Sequence, residues 1–186
     1  MDNKFAIPGA ILAGALIIAG AVVYGGDIKT RLQSKDTPDT PTTDVPVGGS
    51  DHIRGNANAL ITIVEYSDLE CPFCKAFHAT MKQALAEYGD KVRWVYKHFP
   101  LDQIHSKADK EAEATECAGE LGGNDAFWAY VDRVFELTPS NNGLDLALLP
   151  AIAQDVGVDR GEFESCLSSG KYAEMVEAQF QEGMSL

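Results

Sequence analysis

The apolar and polar positions divide the chain into an uncharged N-terminal run, a polar stretch and a long mixed region. Residues Phe5 to Gly26 form a run of 22 residues without a charged side chain. At 1.5 Å per residue, a helix of that length spans about 33 Å and can cross the ~30 Å hydrocarbon core of a bilayer. We therefore predict a single N-terminal transmembrane helix, with residues 1–31 as a membrane anchor and its flanks.

A cleaved signal peptide is the alternative interpretation of this run, because Ala19–Ala21 resembles a small-residue cleavage site. The run continues through Val22–Tyr24 and is longer than a typical signal core, so we favour an uncleaved signal-anchor. The basic residues Lys29, Arg31 and Lys35 follow the run, and by the positive-inside rule alone they would place the rest of the chain in the cytoplasm. We expect the opposite orientation, because the downstream cysteines suit an oxidising compartment.

Residues 32–58 are rich in Thr, Pro, Asp and Gly and have no apolar periodicity, which predicts a semi-extended linker. Residues 59–186 then form the folded domain. Ala59–Tyr66 is a continuous β-branched run, typical of a strand buried on both faces. A helix begins at Cys71 and ends at Gly89, and Val92–Phe99 predicts a second strand. A crossover of this length makes the two strands parallel.

The remainder of the chain is helical in pattern. The first predicted helix is capped by Ser106 and ends near Leu121, and two further helices are predicted over 125–137 and 144–156. A short helix capped by Asp159 and ended by Gly170 follows, and the last predicted helix covers 171–183. The order strand, helix, strand and then helices predicts an α/β fold with an inserted helical subdomain at about 104–170.

Charge and cysteine spacing exclude two classes of function. The formal net charge is −13, which argues against nucleic-acid binding because that requires a basic surface. The cysteines form one close pair, Cys71 and Cys74, and two distant single residues, which does not match a zinc ribbon. His52, His78 and His105 are scattered along the sequence. We predict neither a metal site nor a cofactor.

The close pair, Cys71-Pro72-Phe73-Cys74, stands where a strand gives way to a helix. A helix N-terminus stabilises a thiolate, which is the reactive form of cysteine. We therefore predict that Cys71 is the attacking thiol and that Cys74, one turn further on, resolves the mixed disulfide. Pro72 suits the first turn of a helix, and the Pro72-Phe73 dipeptide tunes thiolate stability. A structural disulfide or half of a metal site is the alternative.

Acidic residues precede the pair. Glu65 lies six residues before Cys71 within an apolar strand, where a carboxyl can relay a proton to or from the inner thiol. The alternative interpretation of Glu65 is a strand residue whose side chain reaches solvent at the end of the sheet. Asp68 and Glu70 are interpreted as turn and capping residues whose charge opposes the thiolate.

Three further residues have structural interpretations. His98 ends the second strand near the site and is expected to be a hydrogen-bonded structural histidine. Cys117 and Cys166 fall on two helices of the inserted layer. In an oxidising compartment they would form a structural disulfide, and two separate buried thiols are the alternative.

The segments DHIRGNANALITIVEYSDLECPFCKAFH, YGDKVRWVYKHFPLD, ECAGELGG and FESCLSSGKY resemble the DsbA-type thiol-disulfide oxidoreductases, in particular their membrane-anchored bacterial branch. The resemblance covers about residues 51–186. It implies a thioredoxin-like fold, residence outside the cytoplasmic membrane, Cys71 as nucleophile and Cys74 as its partner. The implied partners are thiol-containing exported proteins and a membrane or extracytoplasmic redox protein that reoxidises the pair.

One departure concerns the end of the sequence. Such proteins continue with a strand that begins with a cis-proline facing the CxxC pair, then a β-hairpin and a helix, whereas the last proline here is Pro150. We interpret the sequence as a fragment that lacks this C-terminal part. The predicted function is a membrane-tethered oxidase of exported thiols, with a disulfide reductase or isomerase, or a non-catalytic anchored module, as alternatives.

Overall fold

The computed structural model describes residues 45–186. The predicted membrane anchor and most of the predicted linker therefore lie outside the described residues. Within residues 45–186, no helix has both the length and the apolar character needed to cross a membrane.

Strands and helices alternate at first, and helices follow to the end. The strands are β1 (His52–Gly55), β2 (Ile61–Ser67) and β3 (Val92–His98). The α-helices are α1 (Pro72–Tyr88), α2 (Ala108–Leu137), α3 (Leu149–Asp155), α4 (Arg160–Ser169) and α5 (Ala173–Met184), with 3-10 turns at Gly89–Lys91 and Leu146–Leu148. The predicted α/β thioredoxin-like order with a helical insertion is confirmed.

The sheet has the order β1-β3-β2, with β3 in the centre. Strands β2 and β3 are parallel, as the crossover through α1 predicted, and the register places Glu65 opposite Tyr96 and Ser67 opposite His98. Six of the seven residues of β3 are buried, since it has a strand on each side. The end of β2, which leads into α1, is therefore held in place by its pairing with this central strand.

Strand β1 was not predicted, and its residues were included in the 32–58 linker. It pairs antiparallel with β3, so the folded domain begins before residue 59. The sequence HIRG has one strongly apolar residue and no alternation long enough to mark a strand. Distant contacts hold it in place: Arg54 makes two 2.9 Å bonds to Asp132 of α2, and its guanidinium lies 4.4 Å from the ring centroid of Trp128.

The start of β2 is more exposed than its apolar sequence predicted. Leu60 is 97% exposed and Ile61 54%, and burial is reached only towards Glu65 and Ser67. The expectation of a strand buried on both faces is therefore wrong for its first half. Among residues 45–186, β2 pairs with one strand, β3, and therefore forms an edge of the sheet.

Helix α2 extends from Ala108 to Leu137 but is broken at Gly123, where φ is 77° and the backbone is not helical. The break separates two helical segments, at the place where the sequence predicted one helix ending near Leu121 and another over 125–137. The predicted Ser106 cap is wrong: Lys107 occupies the capping position, and the Ser106 hydroxyl donates instead to the Asn142 side chain at 3.3 Å. The Asp159 cap is confirmed, because its carboxylate accepts the Glu162 amide at 2.9 Å.

The core lies between the sheet and the helical layer. It is dominated by large aromatic side chains that are almost wholly buried: Trp94, Tyr96, Phe127, Trp128, Tyr130 and Phe163. Helix α2 supplies half of them, more than any other helix among residues 45–186.

Cys117 of α2 and Cys166 of α4 are joined by a disulfide, with their Cα atoms 5.8 Å apart. The bond connects two helices separated by 49 positions in sequence. The pairing proposed from the sequence as one of two alternatives is the one found.

Removing this disulfide should destabilise the domain. We expect the free energy of unfolding of the Cys117→Ala/Cys166→Ala variant to be about 4 kcal/mol lower than that of its parent, because a closed loop of this length restricts the unfolded chain. Urea titration followed by circular dichroism measures the difference. A loss below about 1 kcal/mol would contradict a stabilising role.

Candidate active site

The CPFC sequence lies where β2 ends and α1 begins. Cys71 occupies the position just before the first helical residue, with extended φ and ψ of −80° and 123°, and its carbonyl accepts the first helical bond from Lys75 at 3.0 Å. Pro72 occupies the first helical position, as predicted. Both thiols are free and partly exposed, and Phe73 between them is 82% exposed. The turn therefore presents Cys71 beside an apolar side chain at the helix N-terminus.

The turn before Cys71 is built on Asp68. One carboxylate oxygen accepts the Glu70 amide at 2.7 Å, and the other accepts the Leu101 amide and a bond from His105 Nδ1, both at 2.8 Å. The turn role predicted for Asp68 is thus found. The predicted capping role is wrong, because no side chain caps α1. Glu70 accepts hydrogen bonds from a loop of the helical layer instead.

Cys74 lies deeper than the helix terminus. Burial raises the pKa of its thiol to about 11, and the neighbouring Cys71 adds to this, while a backbone bond from Asp68 and the Ser67 hydroxyl act in the opposite direction. Cys74 is therefore a poor thiolate unless a proton acceptor is at hand.

Glu65 is buried beneath the helix and is only 6% exposed, so the alternative of a solvent-reaching side chain is wrong. Burial raises the pKa of Glu65 to about 7, although the nearby Ser67 hydroxyl and the Trp94 indole lower it. The Trp94 Nε1–H donates to Glu65 at 2.8 Å. A carboxyl with this pKa exchanges a proton near neutral pH.

Tyr96 lies opposite Glu65 in the register of β2 and β3, and its hydroxyl is buried without a hydrogen-bond partner among residues 45–186. Burial raises the pKa of Tyr96 well above its usual value, and the charges of Glu65 and Cys74 act in the same direction. Sequence reasoning missed Trp94, Tyr96 and Ser67. Ser67 could have been found, since it lies two residues after Glu65 on the same strand face. Trp94 and Tyr96 required the register of β2 against β3.

The histidines have structural partners. His98 and His52 each contact one oxygen of Glu116 at 2.9 Å, which confirms the structural interpretation of His98. Burial acts to raise the pKa of Glu116, but the two histidine bonds outweigh it and lower the pKa to about 2. His78 contacts Asp132 at 2.6 Å. Among residues 45–186, no group of three or more acidic, histidine or cysteine side chains is placed to hold a metal ion.

This fold and site define a thioredoxin-fold protein with a CxxC dithiol. A family model described as thioredoxin matches residues 48–185, and the chain belongs to that family.

Comparison with solved structures shows which thioredoxin-fold proteins this chain is similar to. The chain is similar to DsbA2 of Pseudomonas aeruginosa, with 31% identity, a TM-score of 0.61, and coverage of 76% of this chain and 75% of that one. It shares the fold of BdbD from Bacillus subtilis, at 21% identity and a TM-score of 0.65, over 75% of this chain and 77% of that one. The domain is of the DsbA type of thiol-disulfide oxidoreductase.

Curated relatives are much longer proteins. The Na+/H+ antiporter NhaA 3 of Salinispora tropica is 35% identical over 136 residues, which cover 69% of this chain and 19% of that protein. The Na+/H+ antiporter NhaA 1 of Mycolicibacterium gilvum is 34% identical over 61% of this chain and 18% of its own length. The chain thus spans less than a fifth of the curated relatives it matches.

The buried Glu65 yields a prediction about pH and stability. Its pKa of about 7 exceeds the ordinary 4.5, so the folded state loses stability as pH rises from about 4.5 to 7 and does not regain it above. Glu65→Gln should therefore be more stable than its parent by about 3 kcal/mol at pH 8 and nearly equal at pH 4. Urea unfolding in a Cys71→Ala background, which avoids mixed redox states, measures this.

The exposed Glu87 on α1 provides the matched control, and Glu87→Gln should leave stability unchanged at both pH values. If Glu65→Gln proves less stable than its parent at pH 8, the buried carboxyl is not costly and this description of Glu65 is wrong.

Proposed function

We propose that the protein is a thiol-disulfide oxidoreductase that acts outside the cytoplasmic membrane and oxidises cysteines of exported proteins. The observation that carries this proposal is the position of the CPFC pair. Cys71 lies at the open N-terminus of α1 and Cys74 one turn inside it, and the Ser67 hydroxyl acts to lower the pKa of both Cys74 and the buried carboxyl of Glu65. This arrangement provides an accessible sulfur for attack, a buried leaving group and a proton source.

The oxidation proceeds by two exchanges. A substrate thiolate attacks Cys71 of the oxidised pair, the Cys71–Cys74 bond breaks, and Cys74 leaves as a thiolate that takes a proton from Glu65. A second substrate thiolate then attacks the substrate sulfur of the mixed disulfide and releases Cys71. The substrate loses two electrons, and the cysteine pair gains them.

Glu65 suits this role because its pKa of about 7 lies far below the value of about 11 for Cys74. A protonated Glu65 can therefore donate to the leaving Cys74 thiolate near neutral pH. In the reverse direction, the carboxylate accepts the proton from Cys74. Phe73, exposed beside Cys71, offers apolar surface to an unfolded substrate.

The proposed location is the outer side of the cell membrane, with a single N-terminal span. The uncharged run of Phe5–Gly26 supports the span, and the Cys117–Cys166 disulfide supports an oxidising compartment. Relatives named as Na+/H+ antiporters contain a similar segment, which is in keeping with action at a membrane. Each turnover leaves a dithiol, so a membrane or extracytoplasmic partner must reoxidise it.

A reductase or isomerase is the second candidate, and one observation favours it. Asp68 and Glu70 are buried acidic residues within three positions of Cys71. Negative charge near a thiolate disfavours it, and a less stable thiolate makes the corresponding disulfide less oxidising. The same residues would then transfer electrons to substrate disulfides.

Trapping tests the roles of the two cysteines. We expect the full-length Cys74→Ser variant to accumulate mixed disulfides with a peptide that contains a disulfide, because Cys71 attacks and no second thiol resolves the product. Cys71→Ser should form almost none. Non-reducing electrophoresis of acid-quenched reactions measures both, and the reverse pattern would exchange the two roles.

The equilibrium with glutathione distinguishes the two directions. An oxidase should give a Cys71–Cys74 reduction potential of roughly −100 to −200 mV. A value at or below about −270 mV would exclude the oxidase and favour the reductase. If Cys71 is no more reactive towards an alkylating agent than a surface thiol of an unfolded peptide, neither activity holds and the cysteines are structural.

A further inference from the structure

Glu111, in the first turns of α2, is an acidic residue with no compensating cation. Its side chain is fully buried, and neither carboxyl oxygen accepts a hydrogen bond from an N–H group. Among residues 45–186, no lysine, arginine or histidine is within ion-pair distance of it, whereas Glu113 on the same helix pairs with Lys110 at 2.8 Å. An unpaired buried carboxylate is so costly that the group is neutral instead.

The groups around Glu111 favour the neutral form. Burial raises the pKa of Glu111 to about 10, helped by the Glu70 carboxyl within hydrogen-bonding reach and by the Asp68 charge, while Lys107 acts in the opposite direction. Asp68 is itself paired with His105. Glu111 also contributes to the raised pKa of Tyr130, after burial.

Glu70 is the neighbouring acid within hydrogen-bonding reach of Glu111. It is fully buried, and its carboxylate accepts the backbone amides of Gly143 at 3.1 Å and Leu144 at 3.2 Å. Its backbone carbonyl accepts the amide of Asn141 at 2.8 Å. Since Glu70 directly precedes Cys71, these bonds attach the loop of residues 138–144 to the CPFC turn.

The loop of residues 138–144 has an unusual backbone. Ser140, Asn141 and Asn142 have φ values of 67°, 54° and 65°, a left-handed conformation that is uncommon outside glycine and that asparagine tolerates better than serine does. Lys107 Nζ donates to the Asn142 carbonyl at 2.8 Å, and Lys75 Nζ of α1 donates to the Thr138 carbonyl at 2.6 Å. The loop is thus held from both layers, and Glu70 supplies its bonds to the active-site turn.

We propose that Glu111 is a positioning residue whose protonated carboxyl donates a hydrogen bond to Glu70, so that the pair shares one negative charge and holds the 138–144 loop against the CPFC turn. The shared proton lets two acids coexist in a buried site. Without it, either a second negative charge is buried near Cys71 or Glu70 keeps only the two amide donors of the loop. The consequence for thiol exchange at Cys71 rests on the function proposed above.

Two substitutions separate positioning from space filling. Glu111→Gln keeps a neutral donor of the same shape, and Glu111→Met keeps the volume without a donor. We expect hydrogen exchange, measured by NMR, to show protection of the Asn141, Gly143 and Leu144 amides reduced about tenfold or more in Glu111→Met, and close to wild type in Glu111→Gln. Glu113→Met is the control on the same helix and should leave these amides unchanged.

The proton itself can be observed in the wild-type chain. At pH 8.5, where Glu65 has largely ionised, the Glu111 carboxyl carbon should keep the ¹³C shift of a protonated acid. If Glu111→Met does not fold, this ¹³C measurement and the amide protection of Glu111→Gln still test the proposal. A carboxylate shift at neutral pH, equal protection in Glu111→Met and wild type, or loss of protection in Glu111→Gln as large as in Glu111→Met would overturn the proposal.

Thiol exchange provides a separate measurement. The Cys71–Cys74 equilibrium with glutathione should change about threefold or more in Glu111→Met and stay near wild type in Glu111→Gln. An unchanged equilibrium in Glu111→Met, with the loop amides exposed, would overturn the link from Glu111 to Cys71. If the wild-type chain exchanges no thiols at all, the oxidoreductase proposal fails, whereas the amide and ¹³C results still test the position of Glu111.

Discussion

The burial of three carboxyl groups just before Cys71 is the constraint on which this domain depends. Glu65, Asp68 and Glu70 all lie within six residues of Cys71, and each is almost wholly buried. Each is accommodated differently: burial raises the pKa of Glu65 to about 7, Asp68 accepts bonds from two backbone amides and from His105, and Glu70 accepts bonds from a loop. The site is therefore acidic, and each of the three carboxyl groups accepts at least one hydrogen bond.

These partners come from elements that are distant in sequence, which explains the arrangement of the two layers. Trp94 comes from the central strand, His105 from the connection to α2, and Gly143 and Leu144 from the loop after α2. The helical layer thus supplies groups that keep the turn before α1 in one conformation, in addition to covering the sheet.

Local pattern was enough to predict the parallel strands, the CPFC turn at the start of α1, and a carboxyl beneath it. Those features depend on apolar runs, on the length of a crossover and on residue spacing. Strand β1, the loop contacts of Glu70 and the bond from Trp94 to Glu65 could not be predicted. Each depends on the register between strands or on a contact more than 25 residues away, and neither is encoded in a local period. The prediction of a Ser106 cap was wrong for the same reason, because the Ser106 hydroxyl donates to the distant Asn142 side chain.

Strand β1 also has a mechanical consequence. It is the first element of the described domain, and besides its pairing with β3 it is fixed to α2 by Arg54 with Asp132 and by His52 with Glu116. A force transmitted along the preceding chain would load β1 and α2 before it reached the turn that contains Cys71. Because Cys71 follows β2 and not β1, the β1–β3 pairing and these two side-chain contacts lie between the preceding chain and the CPFC turn.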